Sequence, residues 1–257
     1  MSELALGVHV PGDRPLAEAA DRGAGLIQMF VGDPQSWKKP AARADADDLA
    51  KTELPVYVHA PYLINVASPN NRIRIPSRKN LVTAAEAAVS VGATALIVHG
   101  GHVGDDESIE VGFERWAKAL DNLTVDIQVL IENTAGGGNA VVRDIANFAP
   151  LWDAIGSYNV GTCLDTCHAW AAGQDLEGSV ATIVDACGSV DLVHLNDSRD
   201  GFDSRRDRHA NLGSGEIPEG LMAAVVSDAG APIVLETPGG VDDHRADIDW
   251  VHRHCGH

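Results

Sequence analysis

The chain has 257 residues, 45% of them hydrophobic, enough for one large core or one barrel. Its formal net charge of −18 argues against a nucleic-acid partner, unless positive charge is concentrated locally or supplied by bound divalent ions. No run of about 18 apolar residues occurs, and the N-terminal MSELALGVHVPGDRP lacks a basic segment followed by an apolar core, so neither a membrane span nor a secretory signal is expected.

Taken in chain order, apolar runs suited to buried parallel strands alternate with Ala-rich amphipathic stretches. Strand Leu4–Val10 precedes helix Leu16–Arg22, Leu26–Phe30 precedes Ala41–Glu53, Val56–His59 precedes Arg78–Val91, and Ala95–His99 precedes Ile109–Asn122. The second half repeats the alternation: Gln128–Glu132 with Val142–Trp152, Val160–Asp165 with Leu176–Cys187, Leu192–Asn196 with Pro218–Asp228, and Ile233–Glu236 with Asp247–His254. Eight strand–helix units predict an α/β fold, a TIM (β/α)8 barrel, as a single domain over residues 1–257. Gly23, Gly92 and Gly230 follow helical stretches, where left-handed caps belong. Two basic clusters, Arg72–Lys79 and Arg199–Arg208, are either solvated loops or local sources of positive charge. Cys163, Cys167, Cys187 and Cys255 fit neither a secreted disulfide framework nor a Cys-x-x-Cys zinc site. They read as reduced, mostly buried thiols of a cytoplasmic protein.

Chemistry-bearing residues collect where these strands end. His59, His99, Glu132, Asp165 and Glu236 each close a strand, and His194 lies near the end of the seventh. His168 falls in the turn after the sixth, with Asp207 and His209 in the long loop after the seventh. Barrel enzymes build their sites at the C-terminal ends of the strands. Singly, a strand-end histidine is commonly a hydrogen-bonded structural residue, and a terminal aspartate a helix cap. Four carboxylates converging on one face would repel one another without a cation. Imidazole and carboxylate together are the ligand set of zinc and its first-row relatives, and nine such residues suit two or three ions.

The most specific local sequences are VHAPYLINVASP (58–69), LIENTAGGG (130–138), GTCLDTCHAWAAGQD (161–175), HLNDSRDGFDSRRDRHANLGSGEI (194–217) and LETPG (235–239). In these motifs and in their order, across most of its length, the chain resembles the endonuclease IV family of apurinic/apyrimidinic endonucleases. The resemblance implies a TIM barrel with three Zn2+ ions, for which Mn2+ could substitute. His59, His99 and Glu132 would hold the first ion. Glu132 would bridge to a second, completed by Asp165, His194 and Glu236. His168, Asp207 and His209 would hold the third. Glu132 is thus the expected catalytic residue, joining two ions that activate the attacking water. The implied reaction is hydrolysis of the phosphodiester 5′ to an abasic site in double-stranded DNA, leaving a 3′-hydroxyl and a 5′-deoxyribose phosphate, with trimming of blocked 3′ ends.

The resemblance also implies two residues that enter the duplex. Tyr62 matches the family's intercalating tyrosine. The wedge arginine usual two residues before a tryptophan is replaced here by Gln35 in VGDPQSW (31–37), which supplies neither the charge nor the planar fork. His9 and His102 lie close to the expected site, Asn133 and Asn196 could orient ligands, and Cys163 and Cys167 read as buried neighbours rather than ligands. Among rival functions, a divalent-metal sugar isomerase or epimerase of the xylose-isomerase-like barrels would share the architecture. It would not need His59, His99 and the Asp207-x-His209 pair as additional ligands. A protein that binds damaged DNA without cutting it would be expected to lack a ligand. One barrel can hold the whole site, so a monomer without membrane association is the expected form.

Overall fold

The computed structural model describes residues 5–256. Eight parallel strands form a closed barrel: β1 (Leu6–His9), β2 (Ile27–Met29), β3 (Val56–His59), β4 (Ala95–His99), β5 (Gln128–Glu132), β6 (Val160–Asp165), β7 (Leu192–His194) and β8 (Ile233–Leu235). Each strand pairs with its neighbours in sequence, and β8 returns to β1, with Leu6 opposite Ile233. This is the TIM barrel expected from the alternation. Leu4, the first residue of the expected first strand, lies outside the described residues.

Side chains alternate across a strand, so every second residue points into the barrel. Leu26, Tyr57, Ala95, Ile97, Leu130, Cys163, Leu192 and Val234 make one buried cluster. Val58, Leu96, Val98, Val129, Ile131, Leu164, Val193 and Leu235 belong to a second, larger cluster that includes the helices. The inner cluster leaves no room at Gly7, where an added Cβ would sit 2.1 Å from the Leu26 carbonyl oxygen. Burying a Val, Leu or Ile side chain contributes about 1.5–3 kcal/mol, so the outer cluster anchors the strands to the helical ring.

The described helices are α1 (Pro15–Arg22), α2 (Ala46–Lys51), α3 (Asn71–Ser90), α4 (Glu110–Leu120), α5 (Phe148–Ile155), α6 (Thr166–Ala171), α7 (Leu176–Cys187), α8 (Glu219–Ala229) and α9 (Val241–Cys255). Gly23 and Gly230 cap α1 and α8 in the left-handed conformation, as expected. Several ends shift by one to three residues, so that β7 stops at His194 and Glu236 lies one residue past β8, and four helix starts differ by more. Residues 41–45 are a loop because Arg43 bonds Gly12 O and Asp45. Helix α3 begins seven residues before the expected Arg78, since Asn70 caps it by accepting from Arg72 N. The Arg72–Lys79 cluster is therefore helical, with Pro76 inside the helix. The expected Val142–Trp152 helix is a 3-10 turn, Ile145–Asn147, running into α5. Helix α9 starts at Val241, where Asp243 accepts from Gly240 N. Helix α6 was not expected; six residues are too few to show a period.

Two short antiparallel ladders stand outside the barrel, His102–Val103 with Asn139–Ala140 and Asp197–Ser198 with His209–Ala210. The second pins both ends of the loop that carries Asp207. Cys163 and Cys167 are buried, Cys187 and Cys255 half-buried, and all four are unpaired. No helix among the described residues is long and apolar enough to cross a membrane.

Candidate metal centre

Counting two residues up from the inner barrel layer gives the floor of the site. Tyr57 leads to His59, Ile97 to His99, Leu130 to Glu132, Cys163 to Asp165, Leu192 to His194 and Val234 to Glu236. The same count from Gly7 and Leu26 gives His9 and Gln28. One ring of eight polar side chains therefore closes the barrel, and strand register sets its neighbours: His99 pairs with Glu132, and Asp165 with His194. His168 is added from the first turn of α6, whose N-cap is Asp165, accepting from His168 N at 2.6 Å. Asp165 thus meets the helix-cap expectation as well. Asp207 and His209 come from the loop after β7.

All nine expected ligands converge. Glu132 Oε2 lies 3.1 Å from His59 Nε2 and 3.3 Å from His99 Nε2, while its Oε1 lies 3.2 Å from His194 Nδ1. Glu236 Oε2 is 3.2 Å from the same His194 atom. Asp207 stands between His168 Nε2, 3.2 Å away, and His209 Nε2, 3.1 Å away. Ligand atoms within 4.8 Å of one another fall into sets: His59, His99 and Glu132; Glu132, Asp165, His194 and Glu236; Asp165, His168 and His209; and Asp207, His209 and Cys167. Glu132 belongs to the first two sets, as a bridging carboxylate would. Cys167, read from sequence as a buried neighbour, is buried and also within ligand distance.

The protons on these rings are fixed by what they touch. A carbonyl oxygen only accepts, so the nitrogen facing it carries the hydrogen. His59 Nδ1 faces Ala60 O at 2.7 Å, His168 Nδ1 faces Asn133 O at 2.9 Å, and His209 Nδ1 faces Glu236 O at 3.1 Å. Each neutral ring then turns a bare Nε2 toward a carboxylate. Two lone pairs at about 3 Å repel unless a proton or a metal ion lies between them. His209 Nε2 is buried and 3.1 Å from Asp207 Oδ1, without the alignment of a hydrogen bond. The donor set therefore fits divalent ions. Asn196 completes the frame, donating to Asp165 Oδ2 at 2.7 Å and accepting from Glu236 N at 2.9 Å. Asn133 accepts from Asp165 N at 2.7 Å.

Without an ion, the centre draws protons onto its imidazoles, which a bound metal would displace. Burial opposes charge on every group, yet mutual attraction overrides it at most of them. His168 and His194 are raised well above the usual imidazole value, and His209 is raised to about 9. Glu132, Asp207 and Glu236 are held well below the usual carboxylate range by the surrounding imidazoles. Asp165 goes the other way, raised by burial.

Comparison with known proteins agrees with this geometry. A family described as a xylose isomerase-like TIM barrel matches residues 16–254. The chain is 55% identical to the probable endonuclease 4 of Mycobacterium tuberculosis, over 98% of this chain and 100% of that one. The chain belongs to the endonuclease IV family. A solved endonuclease IV from Thermus thermophilus superposes with a TM-score of 0.82 at 32% identity, covering 97% of this chain and 99% of that chain. A D-tagatose 3-epimerase-like protein also superposes at 0.82, covering 98% and 97% of the two chains, but at 17% identity it shares the fold alone. The sugar isomerase reading is set aside: as an endonuclease IV the chain is a metal-dependent nuclease of DNA repair.

Around the endonuclease IV centre, the rim is laid out as two clefts with Tyr62 lining both. The larger, about 750 Å³, is bordered by His9, Phe30, His209 and Glu236; the smaller, about 360 Å³, by His99, His102, Thr134, His168 and Asp207. Tyr62 is 52% exposed, its ring 5.1 Å from Phe30 and stacked 6.0 Å from His99. Gln35 is exposed on the neighbouring loop, tied to Tyr62 through the bond from Tyr62 N to Pro34 O. His9 lies at the edge of the centre, with Nδ1 3.2 Å from Glu236 Oε1. His102 is exposed on its short ladder. Gln28 had drawn no attention in the sequence; its signal was one polar residue inside an apolar strand.

Proposed function

We propose that this chain incises double-stranded DNA on the 5′ side of abasic sites, leaving a 3′-hydroxyl and a 5′-deoxyribose phosphate, and trims blocked 3′ ends. The observation that carries this reading is the convergence of all nine expected ligands on one barrel mouth, in a chain 55% identical to a probable endonuclease 4 over its full length. His59, His99 and Glu132 would hold one zinc ion, Glu132, Asp165, His194 and Glu236 a second, and His168, Asp207 and His209 a third, with Mn2+ able to replace zinc. When bound, these ions lower the pKa of water and offset the charge of the phosphodiester.

The protein's own groups do the rest. Glu132 is fully buried and faces imidazoles with both oxygens, so it ties the first two ligand sets into one rigid unit. Asn196 and the His168 amide keep the Asp165 carboxylate from rotating away, while Asn133 holds its backbone. Tyr62 stands at the division between the clefts, where it can occupy the gap left by a missing base. Displacement of a sugar is cheapest where pairing is already lost, so the abasic position itself favours entry. The larger cleft, beside Glu236 and His209, has room for the displaced sugar. Arg199, Arg205 and Arg206 lie on the loop of Asp207, the latter two paired with Asp203 and Asp200 and able to exchange those partners for phosphates. One barrel carries every group required, so the chain acts as a single domain and a monomer.

The deciding experiment uses purified protein of measured metal content and a duplex with one tetrahydrofuran abasic analogue, which cannot undergo β-elimination. A cut on the 5′ side with a 3′-hydroxyl, absent from an undamaged duplex, is the expected result. Protein carrying close to three metals that leaves this duplex intact would overturn the reading.

A further inference from the structure

Seven of the eight ring positions are accounted for by the ligands or, as with His9, border the larger cleft. Gln28 does neither. It is fully buried on β2, and its amide is held between two ligands of one proposed ion. Gln28 Nε2 donates to Glu236 Oε1 at 2.6 Å, and Gln28 Oε1 lies 2.7 Å from His194 Nε2. The carboxylate only accepts, so it fixes which end of the amide is NH2. The other end is then oxygen, also only an acceptor, and His194 must carry its proton on Nε2. That leaves Nδ1 bare, and Nδ1 is the atom facing Glu132 and Glu236 at 3.2 Å. His59, His168 and His209 have their protons placed by backbone carbonyls and present Nε2. His194 is inverted relative to these three, and a side chain does for it what the backbone does for them.

We propose that Gln28 is a positioning residue of the metal centre: it sets the tautomer of His194 and aims the Glu236 carboxylate, so that His194 binds metal through Nδ1. The inference rests on the metal-centre reading above. Outer hydrogen bonds of this kind are worth about 10–100-fold in metal affinity. Methionine at this position would keep the volume and lose donor and acceptor together. Glutamate would keep an acceptor for His194 but lose the donor to Glu236 and add a negative charge beside it.

Two measurements test it. In zinc-loaded wild-type protein labelled with 15N-histidine, the His194 ring should carry its hydrogen on Nε2; a hydrogen on Nδ1 would overturn the proposal whatever the variants do. In zinc titrations against a chromogenic chelator, Gln28→Met should weaken one equivalent about 10–100-fold and spare the others. Gln28→Glu should also weaken that equivalent while retaining the Nε2 hydrogen of His194. Affinities within about twofold of wild type for Gln28→Met would sink the role assigned to Gln28 and leave the metal centre standing. Wild-type protein that takes up no divalent metal would remove the centre itself.

Discussion

The mouth of the barrel and the rim above it are built on opposite terms. At the mouth, Glu132, Asp165 and His194 are fully buried on strands, and each lies within hydrogen-bonding range of polar neighbours. At the rim, Tyr62, Trp37 and Phe202 are 52%, 42% and 54% exposed. The loop of Asp207 lies between these extremes. Its ladder and the bond from Arg205 N to Ala171 O staple it in place, against left-handed backbone at Asp203 and Arg205. Left-handed backbone at a non-glycine residue costs of order 1 kcal/mol, so packing must hold this loop. Gly136 allows the approach, since a Cβ there would sit 3.1 Å from Arg205 Cβ. The contrast teaches that the strands and their ends place six of the nine candidate ligands, whereas α6 and the loop after β7 bring the other three.

The largest effect should come from the mouth. Glu132→Gln keeps the shape and removes the charge shared by two ligand sets. Loss of several kcal/mol of charge stabilisation predicts a fall in cleavage of about a thousandfold or more. Circular dichroism should show the barrel retained. Near-native turnover would mean that the shared carboxylate is not where the chemistry sits.

The mouth was legible from sequence because its residues close apolar runs, and strand ends are where barrel sites form. Gln28 was missed although the rule that finds it is the same: two residues beyond Leu26, as His59 is two beyond Tyr57. One amide in LIQMF carries no metal-ligand chemistry, so it passed as part of the strand. Helix α6 was illegible because Thr166–Ala171 spans fewer than two turns. The start of α3 was misplaced because Pro76 and the arginines around it look like a loop, whereas the Asn70 cap and the bonds from Arg74 to Ser68 O and Pro69 O make that stretch helical. Cys167 was read correctly as buried, but its distance to Asp207 and His209 depends on a loop path that no local pattern encodes.

Rim substitutions should change binding more than turnover. Tyr62→Ala should weaken affinity for the abasic duplex by about 5–150-fold, the range for one aromatic–base stack. Affinity unchanged by this substitution would place Tyr62 outside the duplex. Gln35→Arg should act in the opposite sense and more weakly, by up to about tenfold. Its signature is the salt dependence: one added phosphate contact steepens the slope of log K against log salt by about one. An unchanged slope would mean that the loop of Gln35 does not reach the backbone.

The smallest effect tests whether the rim is held by charge. Glu107 takes a bidentate pair from Arg115 and a bond from Gly104 N, closing the loop after His102. Arg115 also donates to Ala67 O, near the segment that bears Tyr62. The Arg115 guanidinium and the Gly104 amide hold the Glu107 carboxyl down at about 2, against an ordinary value of 4.5. A depressed carboxylate stabilises the folded state above its unfolded value and loses that contribution as pH falls through the folded one. Glu107→Gln should therefore lower Tm by about 1–3 °C at pH 6, the scale of a partly covered surface pair. The difference should shrink between pH 4.5 and about 2, and salt should reduce it at pH 6. The same deficit at every pH would show that this contact works through shape rather than charge.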